Sequence, residues 1–488
     1  MVPRQLLLEF VETPKGGNGT ESSELDIKEG LRLKSKARTT KRTIAAADRT
    51  TYLLEEVASE ANLASALLHV AKNKGAAGID GKSVDEVLAE AETLLPRLSR
   101  DLLEGRYRPT NIRRLQIPKP GGGERNLGIP TVLDRWVGQA ILQTLTPLYE
   151  PNFHQSSHGF RPERGATTAI TEAKTLVNAG KDWVVSVDLS KFFDRVNHQR
   201  LMSRLAQTIR DKRLLKLIHQ MIKAKVVLPD GLIETVEEGT PQGGPLSPLL
   251  SNIVLDELDW ELERRNLSFV RYADDLNVFV RCKRAGARVM ASLTRFIVRR
   301  LRLQVNEDKT VVDRPENVHI LGFSLKRNQQ RKATEVLLSA RSIARVRAKV
   351  KELTPRSWGQ SLDSLFDKLN EYLRGWIVYF SLCTEAGALY LKKIDAHIRR
   401  RIRCLILGRF RRKRFLFRHL KQRGASEEAS AKLAYNSKGL WVKSIQSAAH
   451  RAYPNKWFQG RLLATWTEWA HQNLPPIQAV TGQYLLDF

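Results

Sequence analysis

Cysteine is scarce in this chain. Cys282, Cys383 and Cys404 are the three in 488 residues, far apart and without any Cys-x-x-Cys spacing. That excludes a disulfide framework and a cysteine-built zinc site, and it suits a reducing compartment. Long apolar runs are missing too: no stretch reaches about 18 apolar residues, so no membrane span is expected. Leu6-Leu7-Leu8 is too short for the apolar region of a secretion signal. The third shortage is of acid, with 52 Asp and Glu against 81 Lys and Arg, a net charge of +29. Such an imbalance calls for a polyanionic partner, for which nucleic acid is the expectation. A cytoplasmic, bacterial-type, nucleoid-associated location follows from the same features.

What is present suffices for several cores, at 42% hydrophobic residues. Residues 1–50 are mixed polar and basic, around Gly16-Gly17-Asn18-Gly19 and Lys34 to Arg42, and read as a mostly disordered leader. Helical spacing begins with Leu63, Leu67, Leu68 and Ala71. A glycine-punctuated loop from Asn73 to Gly81 follows, and Ser83-Val84-Asp85-Glu86 spells a capping box. Ile117 to Pro130 reads as a hairpin with a Gly121-Gly122-Gly123 tip. Lys119 and Arg125 would face one space across it, an arrangement suited to a triphosphate. An ordinary exposed hairpin fits that stretch equally well.

Three further stretches carry chemistry. Trp183 to Val187 is a buried-strand pattern that ends at Asp188 and is followed by Phe192-Phe193-Asp194. Asp194 suits the cap of a helix starting near His198, or support for a neighbour. Thr240-Pro241-Gln242-Gly243-Gly244-Pro245 brings bare backbone and an amide to the mouth of a helix. Phe269 to Val280 reads as a β-hairpin with Tyr272-Ala273-Asp274-Asp275 at its tip. Adjacent acids repel, so they need a cation or full solvation. Taken alone, a solvated turn would satisfy them.

The ordered series of Asp188, Pro241-Gln242-Gly243, Tyr272-Ala273-Asp274-Asp275, the Lys309 loop and Leu321-Gly322-Phe323 resembles the reverse transcriptases. The wording is similar to the group II intron maturases at Gly75 to Gly81, Ser157-His158-Gly159-Phe160-Arg161-Pro162, Thr240 to Leu249 and Tyr372-Leu373-Arg374-Gly375-Trp376. The resemblance implies an α+β right-hand polymerase. Fingers would occupy 51–180 and a palm with an antiparallel sheet 181–335. An all-α thumb or maturase X region would follow over 336–423, and a small basic DNA-binding segment over 424–488.

It also implies RNA-directed DNA synthesis with two Mg²⁺ ions as cofactor. Asp188 and Asp274 would be the metal ligands, helped by the Leu189 carbonyl, with Asp275 more peripheral. Phe193 would be the gate against a ribose 2′-hydroxyl, and Gln242 would lie beneath the incoming nucleotide. Arg125 and Lys119 would meet its triphosphate. Lys309 would protonate the leaving pyrophosphate. Leu321, Gly322 and Phe323 would form the primer grip, and Arg161 would order the fingers or touch template.

From Leu391 to Arg423 there are 14 Lys or Arg and one acid, Asp395, beside an apolar stripe of Leu391, Ile394, Ile398, Ile402 and Leu405. Arg399, Arg400, Arg403, Arg411, Arg412, Lys413 and Arg414 are the nucleic-acid-binding candidates. The implied partners are group II intron RNA, a template RNA with its DNA primer, target DNA and dNTPs. No Cys/His nuclease cluster is present, so second-strand cutting is not expected. Two other readings fit the same motifs: a domesticated polymerase of this lineage in repair or defence, and a splicing chaperone without catalysis.

Overall fold

The computed structural model describes residues 21–36, 50–118, 124–328, 330, 333–355, 359 and 361–473. They fold as two compact units. The first comprises residues 1–173 with 183–312, and the second 174–182 with 313–488.

In the first unit, β1 (Ile112–Pro118) and β2 (Glu124–Ile129) pair antiparallel, from Arg113 opposite Ile129 to Pro118 opposite Glu124. A second sheet is built around β3 (Trp183–Val187). The short strands β4 (Val226–Val227) and β5 (Ile233–Glu234) flank the Pro229-Asp230-Gly231 turn and extend the first sheet to the order β2-β1-β4-β5. β6 (Ser268–Tyr272), β7 (Asp275–Val280) and β8 (Val311–Asp313) complete the second, in the order β6-β7-β3-β8. β3 and β7 run antiparallel with Val187 opposite Leu276. They read as near-continuous apolar runs because residues on both faces are buried, Val184, Val185, Val278 and Phe279 among them.

The helical part of this unit follows its caps. Ser83 and Glu86 form the full capping box of the helix Val84–Ala89. Thr131 caps the helix Val132–Tyr149, whose Trp136 is fully buried and donates its indole N–H to the Leu63 carbonyl. The leader differs from expectation over part of its length. Glu21–Lys36 is a helix, with Leu31 buried in the core and Ile27 packed against it. Two apolar residues four apart provide that stripe, too few to register in a polar segment. The rest of residues 1–49 lies outside the described residues.

In the second unit, β9 (Phe323–Asn328) pairs antiparallel with β10 (Ala333–Leu338). The all-α region expected from residue 336 starts later, because β10 runs on to Leu338, with Thr334, Val336 and Leu338 alternating inward at strand period. The helices Ala340–Leu353 and Leu362–Phe380 come next, then Glu385–Gly408, whose N-cap Thr384 exchanges hydrogen bonds with Val336. Gly387 permits that approach: a Cβ there would lie 2.3 Å from the Val336 carbonyl oxygen. The stripe Leu391, Ile394, Ile398, Ile402 and Leu405 is buried throughout, as its spacing predicts. β9 and β10 group with the helical unit, whereas the expected palm, ending at residue 335, took in β9 and the first half of β10.

Candidate active site

The hairpin turn consists of Ala273 and Asp274, between Tyr272 and Asp275, which pair across the strands. Ala273 takes φ 55, a left-handed conformation unfavourable for a residue with a Cβ. It persists because its surroundings fix it. Arg271 Nη1 donates to the Ala273 carbonyl at 2.9 Å. Ser157 forms a single parallel bridge to Arg271: Arg271 N donates to Ser156 O and His158 N donates to Arg271 O. Gly159 passes so near that a Cβ would stand 2.2 Å from Ala273 N. Asn252, from the helix Ser247–Arg264, donates its amide to the Gly159 carbonyl at 2.9 Å.

Beneath the turn lies a closed polar network. Arg271 and Asp259 are each fully buried and form a two-pronged ion pair at 2.7 and 2.5 Å. Arg271 also donates to Asn252 Oδ1 at 3.0 Å and Ser157 Oγ at 2.7 Å. Two charges without solvent need this degree of satisfaction. The sequence reading missed Arg271, although its signal was there: a charged residue at an inward strand position between Val270 and Tyr272.

Asp188 follows the last β3 residue paired with β7, and Asp275 precedes that residue's partner, so both stand at one end of neighbouring strands. The segment before Lys309 is zipped to Asp188. Asn306 N donates to Asp188 O at 2.8 Å and Ser190 N to Gln304 O at 2.8 Å, while Asp188 N donates to Thr310 Oγ1 at 3.3 Å. The Leu189 carbonyl takes no part in this ladder. Lys309 Nζ stands 3.6 Å from Asp188 Oδ2, with Asp188 one-third exposed. Asp188, Asp274 and Asp275 offer only hard oxygen donors, the set a divalent cation such as Mg²⁺ prefers. Among the described residues, no three His, Cys, Asp or Glu side chains close into a metal-binding group.

Phe193 belongs to a tight turn, Phe192–Asp194, entered through Lys191 at φ 49. Phe192 is buried and Phe193 half-buried, edge-on to Phe192 and to Phe160. Thr240 N donates to the Phe193 carbonyl, and Gln242 Nε2 donates to Asp194 Oδ1 at 3.2 Å. Gly128 N donates to Gln242 O at 2.9 Å, which joins β2 to the Pro-Gln-Gly loop. A cavity of about 350 Å³ opens between them, lined by Phe193, Asp194 and Gln242 with Arg114, Asn126 and Lys191.

Several sequence expectations change here. Asp194 does not cap the helix His198–Thr208; Asn197 does, its Oδ1 accepting from Arg200 N, and Asp194 holds Gln242 instead. Arg161 is buried: it pairs with Glu150 at 2.8 Å and donates to the His154 and Ser157 carbonyls, so it orders its loop and does not meet a template. Lys119 lies outside the described residues. In β2 the Arg125 backbone pairs with Ile117 of β1, and its side chain is outside them.

In the second unit, Leu321 and Gly322 take φ 50 and 93 in a tight turn closed by mutual hydrogen bonds of Ile320 and Phe323. Tyr379 Oη donates to the Leu321 carbonyl and Ser342 Oγ to that of Gly322. The Phe323 ring is fully buried against Tyr379 and Phe380 and Gly322 is buried as well, so within this turn only half-buried Leu321 reaches the surface. His319 Nδ1 stands 2.7 Å from Ser339 Oγ. Burial, with Arg341 and Arg345 nearby, pushes the imidazole down to about 4.

The basic run divides in two. Arg411, Arg412, Lys413 and Arg414 are exposed, as a phosphate-binding face requires. Arg403 is buried, donating to the Tyr453 carbonyl and Asn455 Oδ1, and burial brings its guanidinium down to about 10. It ties two helical segments and is no surface ligand. Arg399 and Arg400 are half-buried, with Arg400 stacked 3.9 Å over the Trp441 ring. Asp395, the lone acid, is buried and caps the helix Thr465–Asn473, accepting from Thr465 N and Oγ1 and from Trp466 N.

Paired carboxylates at the end of an antiparallel sheet, with a lysine loop and an aromatic turn beside them, define a nucleotidyl-transferring polymerase palm. Residues 117–325 match the reverse transcriptase (RNA-dependent DNA polymerase) family, and residues 343–424 match the group II intron maturase-specific domain. Protein YkfC of Escherichia coli is 35% identical over 310 residues, covering 55% of this chain and 81% of that protein. The group II intron-encoded protein LtrA of Lactococcus lactis is 36% identical over 200 residues, 41% of this chain and 33% of LtrA. The COX1/OXI3 intron 2 protein of Saccharomyces cerevisiae is 27% identical over 290 residues, 48% of this chain and 34% of that protein. The chain thus spans about a third of those two intron-encoded relatives. It belongs to the group II intron reverse transcriptase/maturase family, whose enzymatic class is RNA-directed DNA polymerase. No helix among the described residues is long and apolar enough to cross a membrane.

Proposed function

We propose that this chain copies RNA into DNA and binds a structured group II intron RNA, assisting its splicing and its insertion into DNA by target-primed reverse transcription. The observation that carries the reading is the Lys309–Asp188 contact, 3.6 Å apart, at the strand end that Asp188 shares with the Asp274-Asp275 turn. The reaction is attack of a primer 3′-hydroxyl on the α-phosphate of a dNTP, forming a new phosphodiester and releasing pyrophosphate. Asp188 and Asp274, with the Leu189 carbonyl and Asp275 in support, would hold two Mg²⁺ ions. When bound, those ions lower the pKa of the attacking hydroxyl and neutralise charge on the leaving group.

The remaining work falls to this chain's side chains. Lys309 supplies a proton to the departing pyrophosphate. Phe193 sets the floor of the sugar pocket and selects against a 2′-hydroxyl, while Asp194 holds the Gln242 amide that lies beneath the nucleotide. Arg125 and Lys119 meet the triphosphate. The Leu321–Gly322 turn guides the primer. Arg411 to Arg414 supply phosphate contacts and with them strong salt dependence.

Primer extension on an RNA template tests the polymerase. Asp188→Ala and Asp274→Ala should each abolish extension while RNA binding persists; full activity in either variant overturns the assignment. Sequencing RNA crosslinked to the protein in its own cells tests the maturase. One long structured RNA containing this protein's coding sequence is expected. A spread of unrelated RNAs or DNA ends would transfer the enzyme to repair or defence.

A further inference from the structure

The second unit holds a cavity of about 190 Å³ lined by Thr354, His397, Arg401, Cys404, Leu405 and Trp441. Its walls differ in chemistry. Trp441 gives a flat aromatic side, and Arg400 covers that ring at 3.9 Å without lining the cavity, while donating Nη2–H to the Trp441 carbonyl. His397 approaches the ring at 5.7 Å and 61°. Arg401 lines the cavity and is fixed by Thr354, its Nε donating to Thr354 Oγ1 at 2.8 Å and its Nη2 to Thr354 O at 2.6 Å. Burial and the charges of Arg347, Arg401 and Arg400 all lower the His397 pKa, which leaves a neutral ring able both to donate and to accept. A planar heterocycle with polar edges, attached to an anion, matches this set. A hydrocarbon would waste the imidazole and the arginines, and a bare phosphate would waste the tryptophan.

We propose that this cavity seats one unpaired nucleotide of a single-stranded RNA segment, its base stacked on Trp441 and edge-bonded to His397, its phosphate drawn by Arg401. Unstacked bases are the part of a folded RNA that proteins read by such stacking. The proposal rests on the reading that this unit binds RNA and adds where a base enters. Trp441 lies beyond residues 343–424, so the stacking wall comes from outside the segment that matches the maturase-specific domain.

The test uses the full chain and a short oligouridylate, with a ribose-phosphate strand of equal length lacking bases as control. Alkylation of half-buried Cys404 by iodoacetamide is followed by peptide mass spectrometry, with exposed Cys282 of the first unit as internal reference. Oligouridylate should slow alkylation of Cys404 and not of Cys282, and the base-free strand should slow neither. Trp441→Leu should weaken oligouridylate binding about 5- to 150-fold, the range of one base–aromatic stack, and Trp441→Phe should restore most of it. If Trp441→Leu does not fold, protection in the unaltered chain decides. Unchanged Cys404 reactivity under bound oligouridylate, equal protection by the base-free strand, or unchanged affinity in a folded Trp441→Leu each overturns the nucleotide seat and leaves RNA binding standing. A chain that binds no RNA of any kind overturns both.

Discussion

Arg271→Met is the sharpest perturbation the active site offers. Arg271 and Asp259 are both fully buried, and the arginine also supplies hydrogen bonds to Asn252 Oδ1, Ser157 Oγ and the Ala273 carbonyl. Methionine fills much of the volume but leaves the buried Asp259 carboxylate without its cation, with Asp256 another acid near it. Breaking one side of a buried pair costs about 3–5 kcal/mol, mostly for the abandoned charge. Native-state hydrogen exchange of the β6 and β7 amides reads that quantity without requiring the whole chain to unfold as one. Their opening free energy should fall by about 3–5 kcal/mol. Arg271→Met/Asp259→Leu should recover more than half of the loss, because it removes the stranded charge, yet the turn stays loose and primer extension stays slow. A loss under about 1 kcal/mol in Arg271→Met, the scale of a single ordinary hydrogen bond, would refute the claim that this network holds the turn.

Other outcomes follow from single contacts. Phe193→Ala should let ribonucleotides compete with deoxynucleotides in primer extension, read as the ratio of kcat/KM for the two. Because the His319 pKa falls from 6.5 to about 4 on folding, its contribution to stability is complete above pH 6.5 and is lost as pH drops toward 4. That loss amounts to about 3 kcal/mol, and His319→Gln should flatten this part of the pH–stability curve. Asp395→Asn can keep the bonds from Thr465 through its one carbonyl oxygen but not the bond from Trp466 N, so it should destabilise the cap of Thr465–Asn473 less than Asp395→Ala does. Asp395→Ala should cost about 1–2 kcal/mol in thermal unfolding. Tyr379→Phe removes the bond to the Leu321 carbonyl and should raise KM for primer–template more than for dNTP.

Much of this was legible in the residues. The β6–β7 hairpin, the Ser83–Glu86 box and the buried stripe of the long basic helix each declare themselves within a few positions, through alternation, capping chemistry or helical period. What escaped was set at long range. Arg161 and Arg403 look like surface cations in a list of basic residues, and only tertiary packing encloses them against Glu150 and Tyr453. Asp194 has the composition of a cap, but Asn197 stands in register for that helix and leaves Asp194 to Gln242. β10 is short and follows a turn, so its alternation was lost beside the strong helical signals after it.

Gly159 has a bearing on how this polymerase could be rebuilt. Its backbone comes so close to Ala273 that the height of the acidic turn above the sheet is gauged by a loop more than a hundred residues earlier in the chain. A graft of Tyr272 to Asp275 into another scaffold would therefore carry the spelling of the motif and lose its posture. The transplantable piece includes Ser156 to Gly159, Asn252, Asp259 and Arg271, and chimaeras between relatives should be cut so that these travel together.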